Sequence, residues 1–231
     1  MSDKYNELIV ESVLAGVADA KHTYAAWTQD GGYFAWAPEY LITVSVARKL
    51  WECCPPLTVW PEYRLTDAMR EAGLDQRHAR AGQLDGNRRA DLLLYREKSR
   101  PHAIVEIKRN VDGWGRIAAD VERMRALVAG AESSFEMGVV AFNCTLIGGP
   151  DGRGTAVLHE RLARMDAAAA GLWQPGWTCR LLTGDMGFDG HEYWSAAAVV
   201  LERARRVRLP LARRTERKYP RPLVSSLHCG E

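Results

Sequence analysis

The stretch ADLLLYREKSRPHAIVEIK, from Ala90 to Lys108, decides the predicted fold of this chain. Two apolar runs, 90–96 and 103–108, flank the polar segment 97–101, and this pattern is typical of an antiparallel β-hairpin. In the second run, period-two alternation sends Val105 and Ile107 to one face of the strand. Glu106 and Lys108 therefore share the opposite face.

The register of this hairpin predicts a cluster of charges. With the turn centred near Lys98 and Ser99, the numbers of paired residues sum to about 197, which places Asp91 opposite Glu106. Two carboxylates and the Lys108 ammonium would then converge on strands that are otherwise apolar. Removing an unpaired ion from water costs several kcal/mol, so such a group needs a partner or a ligand.

Two carboxylates side by side offer the oxygen ligands that Mg²⁺, or Mn²⁺ in its place, prefers. A lysine beside them could orient an attacking water or stabilise negative charge on a phosphodiester. The predicted chemistry is phosphodiester hydrolysis with Asp91 and Glu106 as metal ligands. The alternative is a cross-strand salt bridge of either carboxylate with Lys108 on a solvated sheet face.

The rest of the chain reads as alternating helices and strands. Apolar residues at intervals of four predict a first helix over 7–20. Pro38 and the Cys53–Pro56 break delimit a helix over Glu39–Glu52, although its β-branched residues would also suit a strand. Pro61 favours an edge or a bulge for the next strand. The further expected elements are strands at 57–65, 138–142 and 177–183 and helices at 116–129, 156–170 and 192–206.

Asp91, followed after fourteen residues by Glu106-Ile107-Lys108, resembles the signature of the PD-(D/E)xK nuclease superfamily. The order of elements from Glu39 to Phe142 is similar to the αβββαβ core of that restriction-endonuclease-like fold. The resemblance implies an α/β fold with a central mixed sheet flanked by helices, an N-terminal helix and a C-terminal α/β extension. It also implies that Asp91 and Glu106 bind metal, that Lys108 assists the attacking water, and that DNA is favoured over RNA as substrate.

The sequence departs from this pattern in two ways. Ala90 stands where the signature has a proline, and the glutamine typical of the RecB-like branch is missing from the helix after the motif. That helix offers Asp120 and Arg123 toward the site, but we expect both to be ordinary exposed helix residues. A further acidic group often comes from the first core helix, for which Glu39 is the natural candidate, with Glu52 and Glu62 as competitors.

Length and composition favour a single domain over 1–200 in a chain of 231 residues. The resemblance implies that this domain is nuclease-like, with its core at about 39–142. No run approaches the apolar length of a membrane helix and no cleavable signal begins the chain, so we expect a cytoplasmic protein that does not bind membranes. The five cysteines include no Cys-x-x-Cys pair, which indicates reduced structural thiols. A homodimer or a protein partner remains open.

The segment 201–231 is predicted to be a helix end followed by a basic tail. Between Leu201 and Pro222, nine basic residues oppose two glutamates, a net charge of +7 in a chain whose total is +2. Such a segment can track a phosphate backbone, or it can be a solvated tail. The candidate nucleic-acid-binding residues in it are Arg205, Arg206, Arg213 and Arg214.

An aromatic cluster around Gly31-Gly32 contains Tyr24, Trp27, Tyr33, Phe34, Trp36 and Tyr40. These rings could supply a platform on which bases stack, but such clusters more often cover a core, and we expect the latter.

The sequence leaves three functions open. They are a Mg²⁺-dependent nuclease in defence, restriction or repair, a nuclease-like module that binds nucleic acid without cutting, and an α/β scaffold in which the charged trio is structural.

Overall fold

The computed structural model describes residues 2–74, 88–97, 100–148 and 153–204. The helices are α1 (Ser2–Trp27), α2 (Glu39–Cys53), α3 (Leu65–Glu71), α4 (Ala118–Ala129) and α5 (Arg153–Ala170), with 3-10 turns at Phe34–Trp36 and Trp114–Arg116. The strands are β1 (Thr58–Arg64), β2 (Arg89–Glu97), β3 (Arg100–Lys108), β4 (Met137–Ile147), β5 (Trp177–Phe188) and β6 (Glu192–Arg203).

The six strands form one mixed sheet in the order β1-β2-β3-β4-β6-β5. Strand β3 is parallel to β4, and the other neighbouring pairs are antiparallel. Seven consecutive residues of β3, from Pro101 to Ile107, are buried, as expected of a central strand covered on both faces. The protein is thus a mixed α/β fold whose sheet is flanked by helices.

Each face of the sheet has its own core. On one face, α1 and α2 pack over alternate strand residues that include Leu92, Val105 and Ile107. On the other face, α3, α4 and α5 cover Leu93, Ile104 and their neighbours. The predicted alternation of β3 is confirmed, since Val105 and Ile107 lie together in the first core.

Helix α2 confirms the predicted helix at 39–52. Its residues Ile42, Val46 and Leu50 recur at intervals of four and are fully buried, so packing of one stripe prevails over the β preference of its branched residues. Helix α1 crosses it closely, because a Cβ added at Gly16 would lie 2.5 Å from the Cα atom of Val46. This contact fixes α2 and therefore the position of Glu39 at its first turn.

The largest correction concerns 192–206, which the sequence predicted to be a helix. The segment Glu192–Arg203 is strand β6, inserted between β4 and β5. Alternate residues enter opposite cores, Ala198 and Val200 on the α1/α2 face and Val199 and Leu201 on the other, which is the two-residue period of a strand. The predicted helix end at 201 is wrong for the same reason.

Smaller differences concern the limits of elements. Helix α1 is longer than predicted, and the short helix α3, which was not among the expected elements, follows β1 directly. Pro61 lies in the edge strand β1, as predicted. The Lys98-Ser99 turn and the segments 149–152 and 205–231 lie outside the described residues, as do Arg205, Arg206, Arg213 and Arg214.

Across the described segments, no helix combines the length and the apolar character that crossing a bilayer requires. The four cysteines described, Cys53, Cys54, Cys144 and Cys179, are free thiols.

Candidate active site

The β2–β3 register brings the first carboxylate pair together. Leu92 pairs with Val105 and Leu93 with Ile104, and one further step along this register sets Asp91 opposite Glu106. The predicted sum of 197 is confirmed over these pairs. The Asp91 carboxylate also accepts a hydrogen bond of 2.6 Å from the backbone N–H of Ile107, which ties it to the end of β3.

Lys108 points to the same face as Glu106. Its ammonium donates to Glu106 Oε1 at 2.9 Å and lies 3.8 Å from Asp120 Oδ2. Period-two alternation explains this contact, because residues 106 and 108 are on one face of the strand. The structure therefore brings Asp91, Glu106 and Lys108 together as the sequence predicted.

Helix α4 contributes two further charged residues, and here the sequence expectation is wrong. Asp120 and Arg123 were expected to be exposed, but Asp120 is buried and the Arg123 side chain is only 10 % exposed. Arg123 donates to Glu106 Oε1 at 3.0 Å and also contacts the Asp120 carboxylate. The first turns of α4 thus cover the end of β3 with a second anion and a second cation.

Glu39 reaches the site from the opposite layer. It lies in the first turn of α2, and its Oε2 accepts a hydrogen bond of 3.1 Å from the backbone N–H of Arg109, the residue after β3. Glu39 also contributes to the electrostatic environment of both Asp91 and Lys108. The geometry favours Glu39 over Glu52 and Glu62 as the further acidic residue of the site.

Glu52 stands near the other end of α2, where it pairs with the exposed Arg48. Thirteen residues of helix separate it from Glu39, about 20 Å at 1.5 Å per residue. Glu62 is an exposed residue of the edge strand with a positive φ of 54°. Neither is among the charges that shift the pKa of Asp91.

Burial, the largest cause, and the neighbouring Glu106 carboxylate together raise the pKa of Asp91 to about 7. The hydrogen bond from Ile107 and the charge of Lys108 act in the opposite direction but do not cancel the shift. For Lys108, burial lowers the pKa, but Glu106, Asp120 and Glu39 reverse this and the net shift is upward. Lys108 therefore stays protonated at neutral pH, while Asp91 is poised between its two forms.

The site contains more negative than positive groups. Its charged members are the carboxylates of Asp91, Glu106, Asp120 and Glu39 and the cations of Lys108 and Arg123. Four carboxylates against two cations give a formal charge of −2 when all are ionised. A site of this kind takes up protons or a cation, because like charges in a low dielectric raise each other's proton affinity.

These residues fit a hard divalent cation in one specific way. Over the described ranges, no three His, Cys, Asp or Glu side chains are grouped as a preformed metal cage. Mg²⁺ rarely needs one, since one or two protein carboxylates usually hold it together with water and substrate phosphate oxygens. Asp91 and Glu106 supply that donor set, and the excess charge of −2 matches one such ion.

A buried polar network that sequence reasoning missed fixes the loop after Lys108. Asn143 of β4 accepts a hydrogen bond of 2.8 Å from the backbone N–H of Asn110, whose side chain accepts another of 2.8 Å from Thr145 Oγ1. Asn110 has a positive φ of 47°, a conformation that asparagine tolerates better than most residues. An asparagine in the middle of the apolar run of β4 was the available signal.

Comparison of the chain with protein-family models, with curated proteins and with solved structures found no match. The functional argument therefore depends on the geometry of the site.

Proposed function

We propose that this protein is a divalent-cation-dependent nuclease that hydrolyses phosphodiester bonds, with DNA as the favoured substrate. The observation that carries the proposal is the cluster at the end of β3, in which Asp91 and Glu106 meet beside Lys108. Together with Asp120, Glu39 and Arg123, these groups carry a formal charge of −2 when all are ionised. The element order α2-β1-β2-β3-α4-β4 supports the resemblance to the PD-(D/E)xK core, although α3 interrupts it between β1 and β2.

Each residue has a separate task in this proposal. Asp91 and Glu106 would hold Mg²⁺ or Mn²⁺, which supplies Lewis acidity toward the phosphodiester and a place for the attacking water. Lys108 keeps its proton and stabilises negative charge that develops on the phosphate as the water oxygen bonds to phosphorus and the P–O bond to the leaving group breaks. Its ammonium is already held at the site by Glu106.

The remaining charged residues act on the first three. Arg123 binds Glu106 Oε1 and is itself held by Asp120, so it fixes the orientation of that carboxylate. Glu39 connects the first turn of α2 to the backbone after Lys108 and adds negative charge at the mouth of the site. Both are positioning residues in this proposal.

The direct test is incubation with labelled duplex, single-stranded and branched DNA and with RNA, with and without Mg²⁺ or Mn²⁺. We expect cleavage that requires the metal and is lost in Asp91→Asn and Glu106→Gln. Glu52→Gln is a matched control, because Glu52 is a carboxylate of α2 that pairs only with an exposed arginine in the structure's described contacts. No cleavage of any substrate by the wild-type protein would contradict the proposal.

A further inference from the structure

Two large aromatic side chains are exposed on either side of Glu39 in the sequence. Trp36, in the 3-10 turn before α2, is 59 % exposed, and Tyr40, in the first turn of α2, is 67 % exposed. Of the aromatic cluster expected to cover a core, only Phe34 is fully buried. Exposed aromatic groups beside a candidate site indicate a binding surface more strongly than isolated ones do.

The backbone that carries Trp36 is anchored from inside the protein. The fully buried Glu192 accepts hydrogen bonds from the backbone N–H groups of Phe34, at 2.6 Å, and Ala35, at 3.0 Å. The next residue is Trp36, whose ring meets the ring of Tyr33 edge-on with 4.7 Å between centroids. The buried carboxylate of Glu192 therefore fixes the 3-10 turn that carries the exposed Trp36.

Hydrogen bonds connect both this turn and the first residue of α2 to the segment that follows Lys108. Asn143 donates to the carbonyl oxygen of Phe34 at 3.5 Å and accepts from Asn110, two residues beyond Lys108. Glu39 accepts from the backbone N–H of Arg109. Trp36 and Glu39 are three residues apart, at most about 11 Å between Cα atoms, a span of roughly three stacked nucleotides.

Two exposed cationic side chains lie on the segment that joins β3 to α4. Arg109, directly after β3, and Arg116, in the second 3-10 turn, are both exposed. Proteins that bind single-stranded nucleic acid combine aromatic groups on which bases stack with cations that follow the phosphates. Paired bases within a duplex are already stacked on their neighbours, so only unpaired bases present free faces to Trp36 and Tyr40.

We propose that Trp36 and Tyr40 form a stacking platform for unpaired bases and that the site takes single-stranded or locally unpaired nucleic acid. This inference rests on the proposed nuclease function and names the substrate class of the same site. Stacking on Trp36 and Tyr40 places the adjoining phosphates next to Glu39 and hence near Asp91 and Glu106.

The test is fluorescence anisotropy with a labelled oligo(dT) and a blunt-ended duplex of two separate strands of matched length, in EDTA at low salt. We expect Trp36→Ala and Tyr40→Ala each to weaken oligo(dT) binding by roughly 5-fold or more, the scale of one lost stacking partner, with duplex binding unchanged. Trp36→Phe should keep most of the affinity, because it keeps a ring. The controls are Trp51→Ala and Trp173→Ala, at 68 % and 63 % exposure, which should bind as wild type does.

Cleavage of the same substrates separates this inference from the proposed function. If the protein cuts nucleic acid but the two alanine variants bind and cut both substrates as wild type does, the platform is wrong and the nuclease proposal stands. If the protein binds oligo(dT) through Trp36 but cuts nothing, the platform stands and the nuclease proposal is wrong. Equal weakening of duplex and oligo(dT), or a change only in self-association measured by sedimentation, would overturn the platform.

Discussion

Two regions of this protein bury carboxylates, and they differ in what surrounds them. At the start of β6, Glu192 is fully buried, accepts hydrogen bonds from two backbone N–H groups, and has one acid, Asp189, and one cation, Lys21, among its neighbouring charges. At the end of β3, Asp91 accepts one backbone N–H and has two acids, Glu106 and Glu39, and one cation, Lys108, among its neighbouring charges. Burial raises the pKa in both regions.

This difference is the ground on which we assign Glu192 to the fold and propose the β3 acids as ligands of a cation. Glu192 accepts hydrogen bonds from two backbone donors, so its carboxylate fastens the turn before α2 to the β5–β6 hairpin. The six charged groups of the β3 cluster carry a formal excess of −2 when all are ionised. Buried charge is costly when it is not compensated, and natural sequences keep it chiefly where a function requires it.

The largest expected effects come from replacing the acids of the two regions. We expect Asp91→Ala or Glu106→Ala to reduce cleavage by at least roughly 10³-fold with the fold intact, because each removes a proposed metal ligand. Glu192→Gln should have the opposite profile, a loss of stability on the order of 1 to 3 kcal/mol with the chemical step largely retained. Single-turnover cleavage beside a denaturant melt measures both quantities.

Cutting at the wild-type rate by either alanine variant would remove that residue from the proposed site. A Glu192→Gln protein that is fully stable but inactive would show that Glu192 serves cleavage and not the stability of the fold.

The second prediction concerns Lys108, which distinguishes catalysis from an ion pair. In the nuclease proposal, Lys108→Met lowers the rate of the chemical step by about 10²-fold to 10³-fold, while Mg²⁺ and nucleic acid still bind. Stability should change little, because Arg123 also donates to Glu106 Oε1 and still compensates it. In the structural alternative, breaking a buried pair costs on the order of 3 to 5 kcal/mol and leaves cleavage unaffected.

Both outcomes are visible in one variant, by single-turnover cleavage and a urea melt. A large loss of stability with an unchanged rate would establish Lys108 as a salt-bridge partner.

The hairpin and its charged trio could be predicted because the signals are local. Alternation assigns Glu106 and Lys108 to one face, and the position of a short turn sets the register that brings Asp91 opposite Glu106. Helix α2 could be predicted for a similar reason, since Pro38 before it and the Cys53–Pro56 break after it are local signals of its ends.

The partners of these groups could not be predicted, because they depend on contacts between distant segments. Arg123 and Asp120 read as exposed helix residues until α4 is packed on β3. Strand β6 was predicted as a helix because its alanine run and its Glu and Arg ends suit one, whereas burial between β4 and β5 decides otherwise. With β6 misassigned, Glu192 could not be connected to Phe34 or to Glu39.

The third prediction concerns the basic segment that follows β6. Deletion after Ala204 should weaken nucleic-acid binding about 10-fold and flatten its salt dependence, because the removed segment carries Arg205, Arg206, Arg213 and Arg214. Each lost phosphate contact should reduce the slope of log K against log salt by about 0.9 for a duplex. The deletion must spare Arg203, which ends β6 and donates to the carbonyl oxygens of Val128 and Gly130 at 2.7 Å.

Binding titrations at several salt concentrations measure the slope. If the truncated protein has the slope of the full chain, the segment is a solvated tail and contacts no phosphate.

The smallest expected effect is on the pH dependence of stability without metal. With its pKa raised to about 7, Asp91 holds a proton in the folded state that the unfolded chain releases near pH 4. The folded protein binds more protons in this interval, so the free energy of unfolding falls as pH rises from about 4 to 7, and the penalty is complete above that. Asp91→Asn removes the penalty and should melt a few degrees above wild type at pH 8, with the gap closing toward pH 4.

Saturating Mg²⁺ should raise the wild-type melting temperature and narrow the gap, because the ion binds only the folded state. Glu192→Gln should instead melt below wild type at pH 8, because the amide NH₂ group cannot accept a hydrogen bond and one of the N–H groups of Phe34 and Ala35 loses its acceptor. We expect this loss to outweigh the penalty that the substitution removes from the ionised Glu192, whose pKa burial also raises. If Asp91→Asn also melts below wild type at pH 8, Asp91 supports the fold as Glu192 does, and the excess negative charge at the end of β3 is not a vacancy for a cation.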